Sequence, residues 1–152
     1  MAEQRNNESQ QVRDLMTRNP RTVTEKDSVL DAARIMRDQD TGIVPVIDNG
    51  RKIIGLITDR DIVVRAVAGG RDINGIHVNE VMSKSVRTVK EDDSVRDVLN
   101  VMSGAQVRRV PVVNRNNELV GIVSMKDLAT ETSATGKVGK TVENISEGRG
   151  NN

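Results

Sequence analysis

Ile53-Ile54-Gly55-Leu56-Ile57-Thr58-Asp59-Arg60-Asp61 and, 66 residues further on, Leu119-Val120-Gly121-Ile122-Val123-Ser124-Met125-Lys126-Asp127 share one pattern. Each is an apolar, strand-like run broken by a single glycine, and each ends in a hydroxyl-x-x-Asp at the spacing of a helix N-cap. At the same offset Val12 to Val63 lies on Val78 to Ala129 without a gap, and 16 of the 52 pairs are identical. The identities include Met16/Met82, Asp27-Ser28-Val29/Asp93-Ser94-Val95, Val44-Pro45-Val46/Val110-Pro111-Val112, Gly55/Gly121 and Asp61/Asp127. The chain is an internal duplication.

Each copy predicts β-α-β-β-α. A short strand covers Arg21 to Thr24, and Arg87 to Lys90 in the second copy. A helix follows where Ser28-x-x-Asp31 and Ser94-x-x-Asp97 offer a capping hydroxyl and a carboxylate. Its apolar residues, Val29, Ala32, Ala33, Ile35 and Met36, recur at helical spacing, and the two helices should end near Gln39 and Gly104. Two apolar runs around Asp48-Asn49-Gly50 then read as a hairpin, the Pro in each first run marking an edge strand or a strand start. The last helix carries Ile62, Val63, Ala66 and Val67, or Leu128 and Ala129, on its apolar face.

Composition narrows the chemistry. Among 152 residues there is no Phe, Trp or Tyr, so aliphatic side chains fill the core and no ring can stack on a base. Lys+Arg 23 against Asp+Glu 22 leaves +1, without the surplus that a phosphate backbone calls for, which argues against nucleic acid. Absence of cysteine removes disulfides, thiolate nucleophiles and sulfur-ligated metals, and one histidine cannot build a multi-histidine site. His77 lies in a Gly- and Asn-containing connector with no nucleophile elbow near it. A hydrolase built on it would require turnover that His77→Ala abolishes. No apolar run approaches a membrane span and the start reads as no signal peptide, so a cytoplasmic location without membrane association is expected.

Strand, helix, an hPVh strand, then G-h-h-[TS]-x-x-D opening a helix, twice at one offset, resembles a tandem CBS-domain pair, or Bateman module. The match runs from Val12 to Ala129. The resemblance implies an α+β fold (α/β sandwich-like) of two β-α-β-β-α repeats with pseudo-twofold symmetry, of the kind found in small stand-alone bacterial CBS-domain proteins. The expected organisation is a disordered start at 1–11, repeat 1 at 12–68, a connector at 69–77, repeat 2 at 78–132 and a polar tail at 133–152. Within the tail, Val138, Val142 and Ile145 offer a short docked helix at 138–145.

The same resemblance implies a regulatory, non-enzymatic module that takes an adenosine-containing ligand (AMP, ADP, ATP, S-adenosylmethionine or NAD) in clefts between repeats, with no required cofactor and no catalytic residue. It implies a homodimer meeting through helices, with Val29, Ala33, Met36, Val95, Leu99 and Met102 at or just beneath the interface, and an effector protein downstream. Asp61 or Asp127 would hold the ribose hydroxyls, with Thr58 or Ser124 adding a hydroxyl. The ligand of Asp127 would set its base against Met16, Thr17, Arg21 and Thr41-Gly42-Ile43, over Ile122. The ligand of Asp61 would use Met82, Ser83, Arg87, Val107, Arg108 and Leu56. Arg108 and Arg109 would take phosphate, with Arg60 and Lys126 as weaker candidates.

Other readings of the same residues stay open. Thr58-x-x-Asp61 and Ser124-x-x-Asp127 also have capping-box spacing, a role compatible with ribose binding. Arg108 and Arg109 also suit surface pairing with local carboxylates, and the methionines suit core filling. The competing functional class is a structural or stress-associated interaction dimer with no nucleotide bound, favoured by Gly42 and Ile43 standing where the second copy has two arginines.

Overall fold

The structure, a computed structural model, describes residues 10–132. Residues 1–9 of the expected disordered start, the tail and the turn at Val138, Val142 and Ile145 lie outside them. In chain order the elements are β1 (Thr17–Arg18), α1 (Val29–Gln39), β2 (Ile43–Ile47), β3 (Ile53–Thr58) and α2 (Asp59–Asp61, continued as a π-helix over Ile62–Val67). Then follow β4 (Val89–Lys90), α3 (Val95–Ala105), β5 (Arg109–Val113), β6 (Leu119–Ser124) and α4 (Met125–Thr132). Single 3-10 turns at Val12–Asp14 and Val78–Glu80 open the two copies.

The packing units are not the two contiguous halves of the sequence. One is Pro20–Val86 with Asn117–Leu119, and the other is residues 10–19, 87–116 and 120–132. Each copy's opening turn therefore belongs to the core formed by the other copy. The attachment is the same in both units: Val12 N–H donates to the Asp93 carbonyl at 2.9 Å and Arg13 N–H to Glu91 at 3.0 Å, while Val78 donates to Asp27 at 2.8 Å and Asn79 to Glu25 at 3.0 Å. Burial drives it, since Val12 and Val78 are fully buried and Met16 and Met82 nearly so. Gln10 and Gln11, which the sequence reading places in the disordered start, join this seam: Val95 N–H donates to the Gln10 carbonyl, and Gln11 bridges Ser94.

In the unit that carries repeat 2, the sheet order is β1-β6-β5-β4, with β1 antiparallel to β6 and β4 parallel to β5. Its core is Val98, Met102, Val110, Val112, Val123 and Leu128, all at most 1% exposed. The unit that carries repeat 1 has the same arrangement with shorter edges. There β2 and β3 form the hairpin, Val23 bridges Val46 in parallel, and Ser83 bridges Leu56. The strand expected over Arg21 to Thr24 thus shrinks to Val23, the one residue of the four that is buried. Pro45 fits because its carbonyl accepts from Val23 while its missing N–H faces the same side, where the paired edge ends.

Ser28 Oγ accepts the Asp31 N–H at 3.0 Å, and Ser94 and Asp97 form a reciprocal capping box at 3.1 Å each way, as the spacing predicts. The second helix runs one residue past Gly104 and ends on Gln106 in the left-handed region, φ 54°, matching Asp40 at φ 51° in the first copy. One expectation fails at α2. Ile62 and Ala66 are buried, but Val63 and Val67, expected on the same apolar face, are 58% and 57% exposed, and so is half of Val64. Only a stripe at i and i+4 meets the core, because the wider π winding, with Ala68 N–H reaching the Val63 carbonyl at 2.8 Å, turns the intervening residues outward.

Candidate functional site

Both sequence-predicted aspartates sit in the first turn of a helix and cap it. Thr58 N–H donates to Asp61 Oδ2 at 2.9 Å and Asp61 N–H to Thr58 Oγ1 at 3.0 Å. Ser124 and Asp127 repeat this at 3.0 and 3.1 Å. The box uses one carboxylate oxygen, Oδ2, and fixes the direction of the other. A carboxylate oriented this way can accept further hydroxyl protons through Oδ1, so capping and diol binding are geometrically compatible.

Around Asp127 the unit gathers a coherent set. Thr17 is paired with Ile122 and Arg18 with Gly121, which lays Met16 and Thr17 along β6 just before Ser124. Met125 N–H donates to the Arg108 carbonyl at 2.7 Å, so Arg108 and the first residue of β5, Arg109, lie beside the Ser124–Asp127 turn. Both arginines are exposed, and neither has an ion-pair partner among the described residues, so the reading in which local carboxylates pair them is not what the structure places there. Val107 and Arg87 belong to this unit, as does Lys126, exposed on α4.

Around Asp61 the arrangement is parallel but the charges differ. Leu56 pairs with Ser83, Met82 lies against Gly55, and Ile43 pairs with Thr58. Where the other unit has Arg108, this one has Gly42, whose carbonyl accepts the Asp59 N–H at 2.9 Å; a Cβ at Gly42 would stand 2.8 Å from Asp59 Oδ2. Arg60 N–H donates to Asp59 Oδ1 at 2.8 Å. The Asp59 carboxylate thus stands beside Gly42, the backbone position that Arg108 takes in the other unit. Arg21 and Thr41 to Ile43 lie in the Asp61 unit, while Arg87, Val107 and Arg108 lie in the Asp127 unit. The expected clefts lie between repeats and so draw residues from both units.

The sequence reading passed over two residues. Asp59 stands where the second copy has Met125, a difference visible in the alignment of the copies. Arg65 lies 3.9 Å from Asp61 Oδ1 at the i,i+4 position and donates to the Val81 and Met82 carbonyls at 3.1 and 3.3 Å, pinning the second opening turn. The second copy has Glu131 at the matching position. In the second opening turn, Glu80 is held below the ordinary carboxylate range, first by the His77 N–H at 2.7 Å and then by Arg71. Whatever Glu80 contributes to stability is therefore present above the usual carboxylate pKa and is lost as pH falls through its lowered value. His77 Nδ1 itself lies 3.9 Å from this carboxylate.

A family profile described as the CBS domain matches residues 12–67 and again 78–133. The chain belongs to the CBS-domain family. A CBS relative from Bacillus subtilis, the uncharacterized protein YlbB, is 37% identical over 138 residues, covering 90% of this chain and 92% of its own. Hypoxic response protein 1 of Mycobacterium tuberculosis is 38% identical over 117 residues, 77% of this chain and 81% of that one. The crystal structure of the CBS pair of protein MJ0100, in complex with 5-methylthioadenosine and S-adenosyl-L-methionine, superposes with a TM-score of 0.69 at 32% identity, over 79% of this chain and 97% of that one. A crystal structure of hypoxic response protein I has two coordinated zinc ions, with a TM-score of 0.73 at 37% identity, over 79% of this chain and 97% of that one. Among the described residues here, no group of three or more His, Cys, Asp or Glu side chains stands where it could hold a metal ion. No helix among them is long and apolar enough to cross a membrane.

Proposed function

We propose that this CBS pair is a non-enzymatic regulatory module that takes an adenosine-containing ligand, with the Asp127 site the stronger of two. Asp127 Oδ1 and the Ser124 hydroxyl receive the ribose, Arg108 and Arg109 the phosphate, and Met16, Thr17 and Ile122 the base. Lys126 assists from α4. Thr58, Asp61 and Arg60, with Leu56, Met82 and Ser83, form the weaker site. The observation that carries this reading is the charge difference between equivalent corners: two exposed arginines, with no ion pair among the described residues, that follow one another beside Ser124–Asp127, against the Asp59 carboxylate beside Thr58–Asp61. The adenosine compounds held by the MJ0100 pair support the ligand class.

A ligand that binds only the folded state raises stability by RT ln(1 + [L]/Kd), about 2.7 kcal/mol at a hundredfold excess. A melting screen against AMP, ADP, ATP, S-adenosylmethionine and NAD is therefore expected to give an upward shift with at least one of them. No shift with any at millimolar concentration would leave the interaction dimer as the better reading.

Self-association is part of the proposal in either case. Val29, Met36, Val95, Leu99 and Met102 are buried in the unit cores, so they lie beneath any such contact, and the large apolar side chains exposed among the described residues are Val63, Val64 and Val67. Light scattering at micromolar concentration should give twice the 16.7 kDa chain mass. A monomer mass would reject the homodimer.

A further inference from the structure

The ends of β4 and β5 opposite to Arg108 and Arg109 border a cavity of about 330 Å³. Its walls hold three cations, Arg13, Lys90 and Arg115, and two carboxylates, Glu91 and Asp92, all within one packing unit. Arg13 Nε is fully buried and has no hydrogen-bond partner among the described residues. Among the described residues none of the three cations forms an ion pair, although two carboxylates share the same walls. Leaving a guanidinium N–H buried and unmatched is costly, so a feature of this kind calls for an acceptor.

The other unit supplies an internal control. Its opening turn docks through the same two backbone hydrogen bonds, yet the positions matching Arg13, Lys90 and Arg115 are Asn79, Thr24 and Asn49. The cations are thus not needed for docking, and they are confined to one corner of one unit. We propose that this corner is a binding site for inorganic phosphate, as the hydrogen phosphate ion, separate from the site at Ser124–Asp127. Guanidinium forks suit its oxygens. The two carboxylates in the wall add selectivity: hydrogen phosphate keeps a P–OH that can donate to Glu91 or Asp92, whereas sulfate at neutral pH has no proton to offer and meets only repulsion from them.

The test is a titration of the whole protein with inorganic phosphate, read residue by residue from backbone amide resonances. Saturable shifts are expected at 90–92 and 114–116, with none at the matching residues 24–26 and 48–50. Any response at 108–109 is read separately. Sulfate should bind this corner at least about tenfold more weakly. Arg115→Gln and Lys90→Gln, both at exposed positions, should each weaken phosphate severalfold without altering the fold, and Arg13→Gln should weaken it by about tenfold or more. Shifts that do not saturate, equal responses at both corners, sulfate matching phosphate, or affinity unchanged in Arg115→Gln and Lys90→Gln would each overturn the proposal.

Discussion

Replacing Gly121 by valine is expected to lower folding stability by roughly 3 kcal/mol, at the upper end of the usual overpacking range. A Cβ at this position would lie 2.6 Å from Met16 Sδ and 2.8 Å from the Thr17 carbonyl oxygen. The thioether can swing aside, but the carbonyl belongs to β1, held in register by the Thr17–Ile122 and Arg18–Gly121 pairs. The strand is only two residues long, so it yields before β6 does, and Val12 and Met16 are drawn out of the core with it. Urea denaturation should show the loss as a lower midpoint, and Gly121→Ala should fall in the same direction by less. Gly55→Val repeats the experiment in the other unit, where the Ser83 carbonyl stands 2.9 Å from the added carbon. An unchanged midpoint for Gly121→Val would mean that the opening segment is not seated on β6.

Asp127→Ala is expected to weaken the adenosine ligand found in the melting screen by tenfold or more, corresponding to about 1.4 kcal/mol or above. The carboxylate supplies charge-assisted hydrogen bonds to ribose worth about 1.5 to 3 kcal/mol each before water compensates. Asp61→Ala should do less, because its site faces Asp59 and its Oδ1 already has Arg65 at 3.9 Å. Each change also breaks a reciprocal cap, costing about 1 kcal/mol of helix stability. Calorimetric Kd values must therefore be compared with melting temperatures at hand. Asp127→Asn keeps a side-chain cap acceptor while removing the charge, and so separates the two effects. Equal Kd values for the wild type and Asp127→Ala would reject the assignment.

Much of this could be read from residues alone because the duplication prints each element twice. The hairpins, the Ser94 capping box and the two aspartates at helix starts follow from local spacing, which short-range physics enforces. What escaped the reading depends on through-space arrangement. Nothing local to Val12–Met16 says that its partners are Asp93 and Glu91 rather than the chain that follows it. Val63 and Val67 have the right spacing for a buried face, yet whether a second face is covered depends on what the fold sets beside it. The Arg13 corner was equally silent, since its cations are spread over about a hundred residues and converge only when the opening turn docks on β4 and β5.

The exchange of opening turns also bears on ancestry. A single copy, cut at the connector, would carry Val12 and Met16 but lack the Val78, Val81 and Met82 that fill its own core. Such a fragment could complete itself only by lending its first turn to another molecule and borrowing one in return, which is domain swapping between two chains. The gapless 66-residue offset suggests that fusion of two such genes preserved this mutual loan. Two fragments expressed together should therefore reassemble by trading segments, where either alone would have to pair with itself.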